Sequence, residues 1–345
     1  MRDLATRFRD QAESCRAYGS PLTAALLIGA ADDIEAGGLA ADLMAPHAKD
    51  PGGSVPSLRF AGSLHRLVLQ GRAPGLAAHY PSVGGTADVE HVWPAAEAVV
   101  RGHLEELREL VTRTVQTNEV GRCAALYGGL LLLGGQVRLL EVGASGGLNL
   151  SCDRYAYEVG DQVLGDADSE LRLVQPWQGD VPAHRGVEVV ERLGCDPNPL
   201  DATTTEGRLT LASFVWGDHV ERHRRLAAAC EVVSRAPVTV ERAHGLEFLD
   251  RELLPRSGVT TVVWHSVVWQ YVDPVERAAM DALIEARGAT ATEDAPIAAL
   301  AMEPAKVGGG EYEFQLHLTR WPGGKRRKVA NVHGHGPPVV WDRRG

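Results

Sequence analysis

Residues 137–150 read VRLLEVGASGGLNL: an apolar run, then Gly143, Gly146 and Gly147, then a helix-like LNL segment. An apolar run closed by glycine punctuation has the form of a buried parallel strand, so the pattern predicts a strand, a tight loop and a helix start. Glycines let a backbone turn sharply and approach a ligand closely, while unpaired N–H groups at a helix start favour a carboxylate, phosphate or ribose oxygen. The loop is therefore expected to cradle a ligand. It is not the dinucleotide fingerprint G-x-G-x-x-G, because Gly143 is followed by Ala144 and Ser145.

On the N-terminal side, residues 1–135 read as a helical layer or lid ahead of a sheet. Leu4, Phe8, Ala12 and Cys15 share a face, Pro21–Ala31 and Leu58–Leu69 are further helices, and Pro94 opens a long one lined by Val100, Leu104, Leu107 and Val111. The polar cluster TVQTNEVGRC, residues 114–123, then precedes an apolar helix. Asn118 or Thr117 can cap that helix and Glu119 can complement its dipole, which leaves Gln116 and Arg122 for a ligand-facing role.

On the C-terminal side, residues 136–345 predict one α/β domain with an inserted hairpin near 154–176. In VEVVERLGCDPNPLD, residues 187–201, Asp196 ends a second strand, where nucleotide-binding folds place a ribose acid. An Asx turn before Pro197 and Pro199 is the other reading of that aspartate. Leu209–Val233 is helical, with Arg222 to Arg225 as a solvated face. Strands follow at Val238–Arg242, Val259–Trp264 and Ile297–Met302, with a helix over Pro274–Arg287. Tyr312–Trp321 and Val329–Trp341, joined by PGGKRRK, form a closing antiparallel hairpin. The fold class is thus a doubly wound, mostly parallel α/β sheet with an antiparallel C-terminal edge.

His265 and Ser266 fall where a parallel strand delivers its C-terminal end to the crevice. There a histidine can serve as a general base, with Trp264, Trp269 and Tyr271 as pocket walls; a core histidine packed by aromatics is the plainer alternative. His333 and His335, without an acidic partner nearby, do not make a metal site, and none is expected.

Composition bounds the function. A formal net charge of -10 and a pI near 5.7 argue against nucleic-acid binding, and 44% hydrophobic with 23% charged residues is ordinary for a globular chain. The five scattered cysteines form no C-x-x-C pair, no signal peptide opens the chain, and no window approaches a membrane span. A cytoplasmic protein with a small-molecule substrate is expected, with a protein partner or a homo-oligomer also compatible.

The segments SPLTAALL, HYPS, TVQTNEVGRC, LLEVGASGGLNL, DRYAY, CDPNPLD and VVWHSVVWQYV resemble, in that order and over nearly the whole chain, a bacterial family known only as a domain of unknown function. By fold that family is grouped with class I S-adenosylmethionine-dependent methyltransferases, whose E-x-G-x-x-x-G loop the central stretch is similar to. The resemblance implies a Rossmann-like methyltransferase sheet in which Glu141, Gly143, Ser145, Gly147 and Asn149 form the cofactor loop and Asp196 takes the ribose. The adenine-facing aspartate of such folds is replaced here by His244. The Asp/Asn-Pro-Pro-aromatic run of amino-methylating members is replaced by His265 to Trp269.

Four functions compete. Methyl transfer from S-adenosylmethionine to a nitrogen or oxygen would use His265, Ser266 or Glu119 on the acceptor, with Gln116, Asn118, Arg122, Asp153, Tyr155 and Trp269 around the substrate. A cofactor-free enzyme on the same scaffold would use those groups for an intramolecular displacement, elimination or cyclisation of a small, amino-acid-like metabolite. Because Gly143, Ser145 and Gly147 also satisfy G-x-S-x-G, Ser145 could be a hydrolase nucleophile, given a base and an oxyanion hole. A non-catalytic binding protein is the fourth.

Overall fold

In the computed structural model the chain is described over residues 1–182, 186–307 and 312–343. The strands along it are β1 (Gly135–Val142), β2 (Ala156–Val159), β3 (Gln162–Gly165), β4 (Arg172–Val174), β5 (Trp177–Gly179) and β6 (Val187–Asp196). They continue as β7 (Thr239–Arg242), β8 (Thr260–Ser266), β9 (Ile297–Lys306), β10 (Tyr312–Trp321), β11 (Arg327–His333) and β12 (Gly336–Trp341).

The central stretch forms β1 as its composition demands, with its last six residues buried. It lies between β6 and β8, parallel to both. Among the described residues the main sheet has nine strands in the order β5-β12-β11-β10-β9-β8-β1-β6-β7. The run β7-β6-β1-β8-β9 is all parallel, and β9 to β12 is an antiparallel meander. The expected closing hairpin is therefore three strands, because Gly334 to Gly336 turns the chain again within the run read as one strand; Gly336 has φ +100. Nor is the meander the edge of the sheet, since β5 pairs in parallel onto β12.

The inserted hairpin is β2–β3, and β4 joins β2 in parallel to make a separate three-stranded sheet. Tyr157 fastens it, stacking on Tyr127 at 4.5 Å and on Trp177 at 5.7 Å.

Two compact units divide the chain, residues 1–117 with 205–224 and residues 118–204 with 225–345. This differs from a boundary at 135. The apolar helix Cys123–Leu133 packs on the sheet of the second unit, where Gly128 faces the Trp341 ring and Gly129 faces Leu300 with no room for a Cβ.

In the first unit Leu4, Phe8, Ala12 and Cys15 are all fully buried, as their spacing required. The long helix after Pro94 is instead two, Val92–Gly102 and Leu104–Leu110, broken at His103. The stretch read as one helix from Leu209 is likewise two, Thr205–Ser213 and Val220–Arg235. Its basic face is only partly solvated, because Arg222 is buried with its guanidinium over Trp216. Asp218 ties this segment in, accepting from the Ser20 hydroxyl at 2.5 Å and from the Leu22 amide at 3.0 Å. No helix among the described residues is long and apolar enough to cross a membrane.

Candidate functional site

In an open α/β sheet the crevice opens outside the carboxyl ends of the strands where their order reverses, here between β1 and β8. β1 delivers Glu141 and the glycine loop to that point, and β8 delivers His265 and Ser266.

The amides of residues 143–145, 147 and 148 in the loop donate within the protein. Gly143 and Ala144 both donate to the Cys195 carbonyl at 2.9 Å, and Gly147 donates to Ala144 at 2.7 Å. The Ser145 amide donates to Asp196 Oδ2 at 3.0 Å, and the Leu148 amide to Asn118 Oδ1 at 2.9 Å. Asp196 Oδ1 accepts from the Asn198 amide at 2.8 Å, so this carboxylate braces the loop and closes its own Asx turn. Gly143 and Gly147 both need their left-handed φ, and the faces where a side chain would stand are filled by Val268 and by Val238 with Val240.

The segment after the loop is a 3-10 stretch, Leu148–Arg154, kinked at Ser151, and not an α-helix. Its carbonyls are claimed from outside: Tyr155 donates its hydroxyl to Leu148 at 2.6 Å, Arg192 donates to Leu150 at 3.1 Å, and Tyr157 donates to Cys152 at 2.6 Å. Arg192 also pairs bidentately with Asp153, at 2.8 and 3.1 Å. Tyr155 and Asp153 thus hold the backbone in place, and no long helix dipole points at the loop.

Glu119 accepts from the Gly121 amide at 3.0 Å and so caps the turn Val120–Arg122. Arg122, buried, donates to Ser266 O and to Gly334 O, both at 3.1 Å, linking the end of β8 to the turn before β12. Gln116 belongs to the first unit, and His244 is an exposed side chain 3.7 Å from Glu276.

Glu141 lies fully within the protein. Asn149 donates to its Oε1 at 3.2 Å, while Oε2 and the Trp264 indole nitrogen are buried without a partner of hydrogen-bond geometry among the described residues. Burial pushes its carboxyl up to about 8, against weaker pulls downward from Asn149, Trp264 and Arg122. From the ordinary value of 4.5 up to about 8 the unfolded chain is ionised while the folded chain is protonated, so stability falls across that interval as pH rises. Glu141→Gln removes this slope. Its melting temperature is expected to gain on the wild type between about pH 5 and about pH 8, and an equal gap at both would mean the carboxyl is already charged in the fold.

At the end of β8 a second constellation forms. His265, 5% exposed, has Nδ1 2.8 Å from Glu303 Oε1 and stacks flat on Trp269, ring centroids 3.7 Å apart at 5°. The same oxygen accepts from the Val268 and Trp269 amides at 3.1 and 3.4 Å. An oxygen that accepts two N–H groups also accepts from the imidazole, which places the ring proton on Nδ1 and leaves the Nε2 lone pair outward. Nε2 makes no hydrogen bond among the described residues.

This dyad borders a cavity of about 440 Å³. Trp269 and Trp321 supply aromatic wall, and Arg277, Asp281, His317 and Arg326 supply charge or polarity. Of these only His265 and Trp269 were legible as site residues. Glu303 carries one local signal, an acid directly after the apolar run Ile297–Met302. It comes beside His265 because β8 and β9 pair in parallel with His265 opposite Ala301, and residues two apart on a strand share a face.

A family model described as "Uncharacterized protein conserved in bacteria (DUF2332)" matches residues 5–341. No curated protein and no solved structure matches the chain.

Proposed function

The chain belongs to this family of uncharacterized bacterial proteins, and we propose that it is an enzyme of small-molecule metabolism in which His265 is the general base, Glu303 orients it, and no S-adenosylmethionine takes part. The single observation that carries this is the His265–Glu303 pair at the carboxyl end of β8, with Nε2 directed away from its acid partner at the border of a polar cavity. A base held in one tautomer by a carboxylate and stacked flat on an indole is equipped to remove a proton from a substrate bound beside it. The fitting reaction is an intramolecular displacement or an elimination. Nε2 takes the proton while the substrate's own leaving group departs, so a single bound molecule suffices.

The parallel half, in the order β7-β6-β1-β8-β9 with Glu141 and Asp196 at neighbouring strand ends, is what supports a methyltransferase-like scaffold. The crevice fits the cofactor poorly. The loop amides from Gly143 to Ser145, with those of Gly147 and Leu148, already donate within the protein, and both oxygens of Asp196 hold backbone amides. Side chains of Val268, Val238 and Val240 also fill the space at Gly143 and Gly147.

Calorimetric titration of the folded chain with S-adenosylmethionine and with S-adenosylhomocysteine tests this. No saturable heat is expected with either. One-site binding of both would overturn the cofactor-free assignment and make methyl transfer the function.

A further inference from the structure

We infer that the ligand of the His265 cavity is an amino-acid-type zwitterion, its carboxylate held by Arg277 and Arg326 and its ammonium by Asp281 and Glu285. This rests on the proposal that His265 is the base of the same cavity, and adds which molecules that base meets.

The helix Pro274–Gly288 puts Arg277, Asp281 and Glu285 at four-residue intervals, so they share one face at steps of about 6 Å along the axis. All three line the cavity. Arg326, from the turn between β10 and β11, lines it too, as does His317 of β10. One wall thus carries a cation followed by two anions, with a second cation reaching in from the hairpin.

These charges are not matched among the described residues. Neither Arg277 nor Arg326 makes a side-chain hydrogen bond or ion pair among the described residues, and neither does Glu285. Among the described residues Asp281 accepts only from the Trp269 indole, through Oδ1 at 3.3 Å. The chain has 45 acidic residues against 35 basic ones, so two guanidiniums on a concave surface are not left alone for want of carboxylates. Neighbouring Lys328, by contrast, is paired with Asp342 at 3.2 Å. Arg277 and Asp281 could pair along the helix but do not, and a basic residue placed before an acidic one is the weaker order for such a pair.

The field at the hairpin end is positive. His317 is held below its ordinary value first by burial and then by Arg326 and Lys328, with Asp342 opposing. A guanidinium offers a planar fork that suits a carboxylate, and the two carboxylates further along the helix suit an ammonium. A ligand with a single charge would satisfy one end of this wall and leave the other unmatched.

Titration of the full chain with L-2-aminobutyrate, butyrate, butylamine and inorganic phosphate tests the inference. L-2-aminobutyrate is expected to bind saturably, and each singly charged analogue about tenfold or more weaker. Arg326→Gln and Asp281→Asn are each expected to weaken L-2-aminobutyrate about tenfold, with melting temperature unchanged because both are surface substitutions. Butyrate or phosphate binding as tightly as the amino acid, unchanged affinity in Arg326→Gln, or no binding by any probe would each overturn it. His265→Ala is expected to keep the binding. Loss of probe binding thus refutes the ligand class, while retained binding together with turnover indifferent to His265→Ala refutes the base.

Discussion

His265→Ala is expected to lower turnover of the cavity's substrate by about 10²–10⁴-fold with little change in KM, because the proposed base acts in the transition state and the proposed charged wall holds the ground state. Glu303→Gln is expected to cost less, about 10–100-fold, for a structural reason. The oxygen of residue 303 that faces His265 also accepts from the Val268 and Trp269 amides. Those two donors keep the amide oxygen of a glutamine in the same place, so the imidazole retains its proton on Nδ1. Only the charge that steadies the imidazolium is lost. Two readouts follow, substrate consumption measured by proton NMR and the Nδ1–H resonance of His265 itself. A His265→Ala chain that turns over like the wild type would remove the dyad from the mechanism, and a Glu303→Gln chain as inactive as His265→Ala would mean the tautomer had flipped.

Gly143→Val is expected to destabilise the second unit by about 2–5 kcal/mol, the sum of a left-handed backbone forced on a β-branched residue and an overpacked contact. Gly143 sits at φ +73, and a Cβ there would stand 2.6 Å from Val268 Cγ2 and 3.1 Å from its Cγ1. Against a total stability of about 5–15 kcal/mol that loss is visible as a large drop in the urea midpoint. Gly143→Ala with Val268→Ala is expected to recover part of it, since the contact is relieved and the φ is not. A Gly143→Val chain with wild-type stability would show that the face above this glycine is open space, as a ligand cradle would need and as the packing by Val268 does not allow.

The same pair of sites separates what is local from what is not. The run VRLLEV followed by GASGG predicted a buried strand and a tight turn, and β1 with the left-handed Gly143 and Gly147 is that element. Leu4, Phe8, Ala12 and Cys15 declared a buried face through spacing alone. His265 was legible because a polar residue closing a run of buried apolar ones sits at a strand end, and strand ends in this fold class meet the crevice.

What the loop does with its amides could not be read in this way. Four of its donors go to Cys195, Asp196 and Asn118, residues about 30 to 52 positions distant in the chain, and the faces of Gly143 and Gly147 meet Val268 from the loop after β8 and Val238 and Val240 from the start of β7. A hydrogen-bond donor looks the same in sequence whether a ligand or a distant carbonyl will claim it.

Sequence by itself therefore determined the elements of this protein: the β1 strand and its glycine turn, the apolar helix faces, the α/β class and the acidic balance of charge. These follow from the period of burial and from glycine's backbone freedom, both of which act within a few residues. Only the tertiary structure assembled the candidate site. Parallel pairing of β8 with β9 set Glu303 against His265, and the turn after β10 brought Arg326 to the cavity that the helix Pro274–Gly288 lines with Arg277. Strand register and hairpin closure are settled by packing over the whole sheet, so partners tens of residues apart carry no mark of one another along the chain.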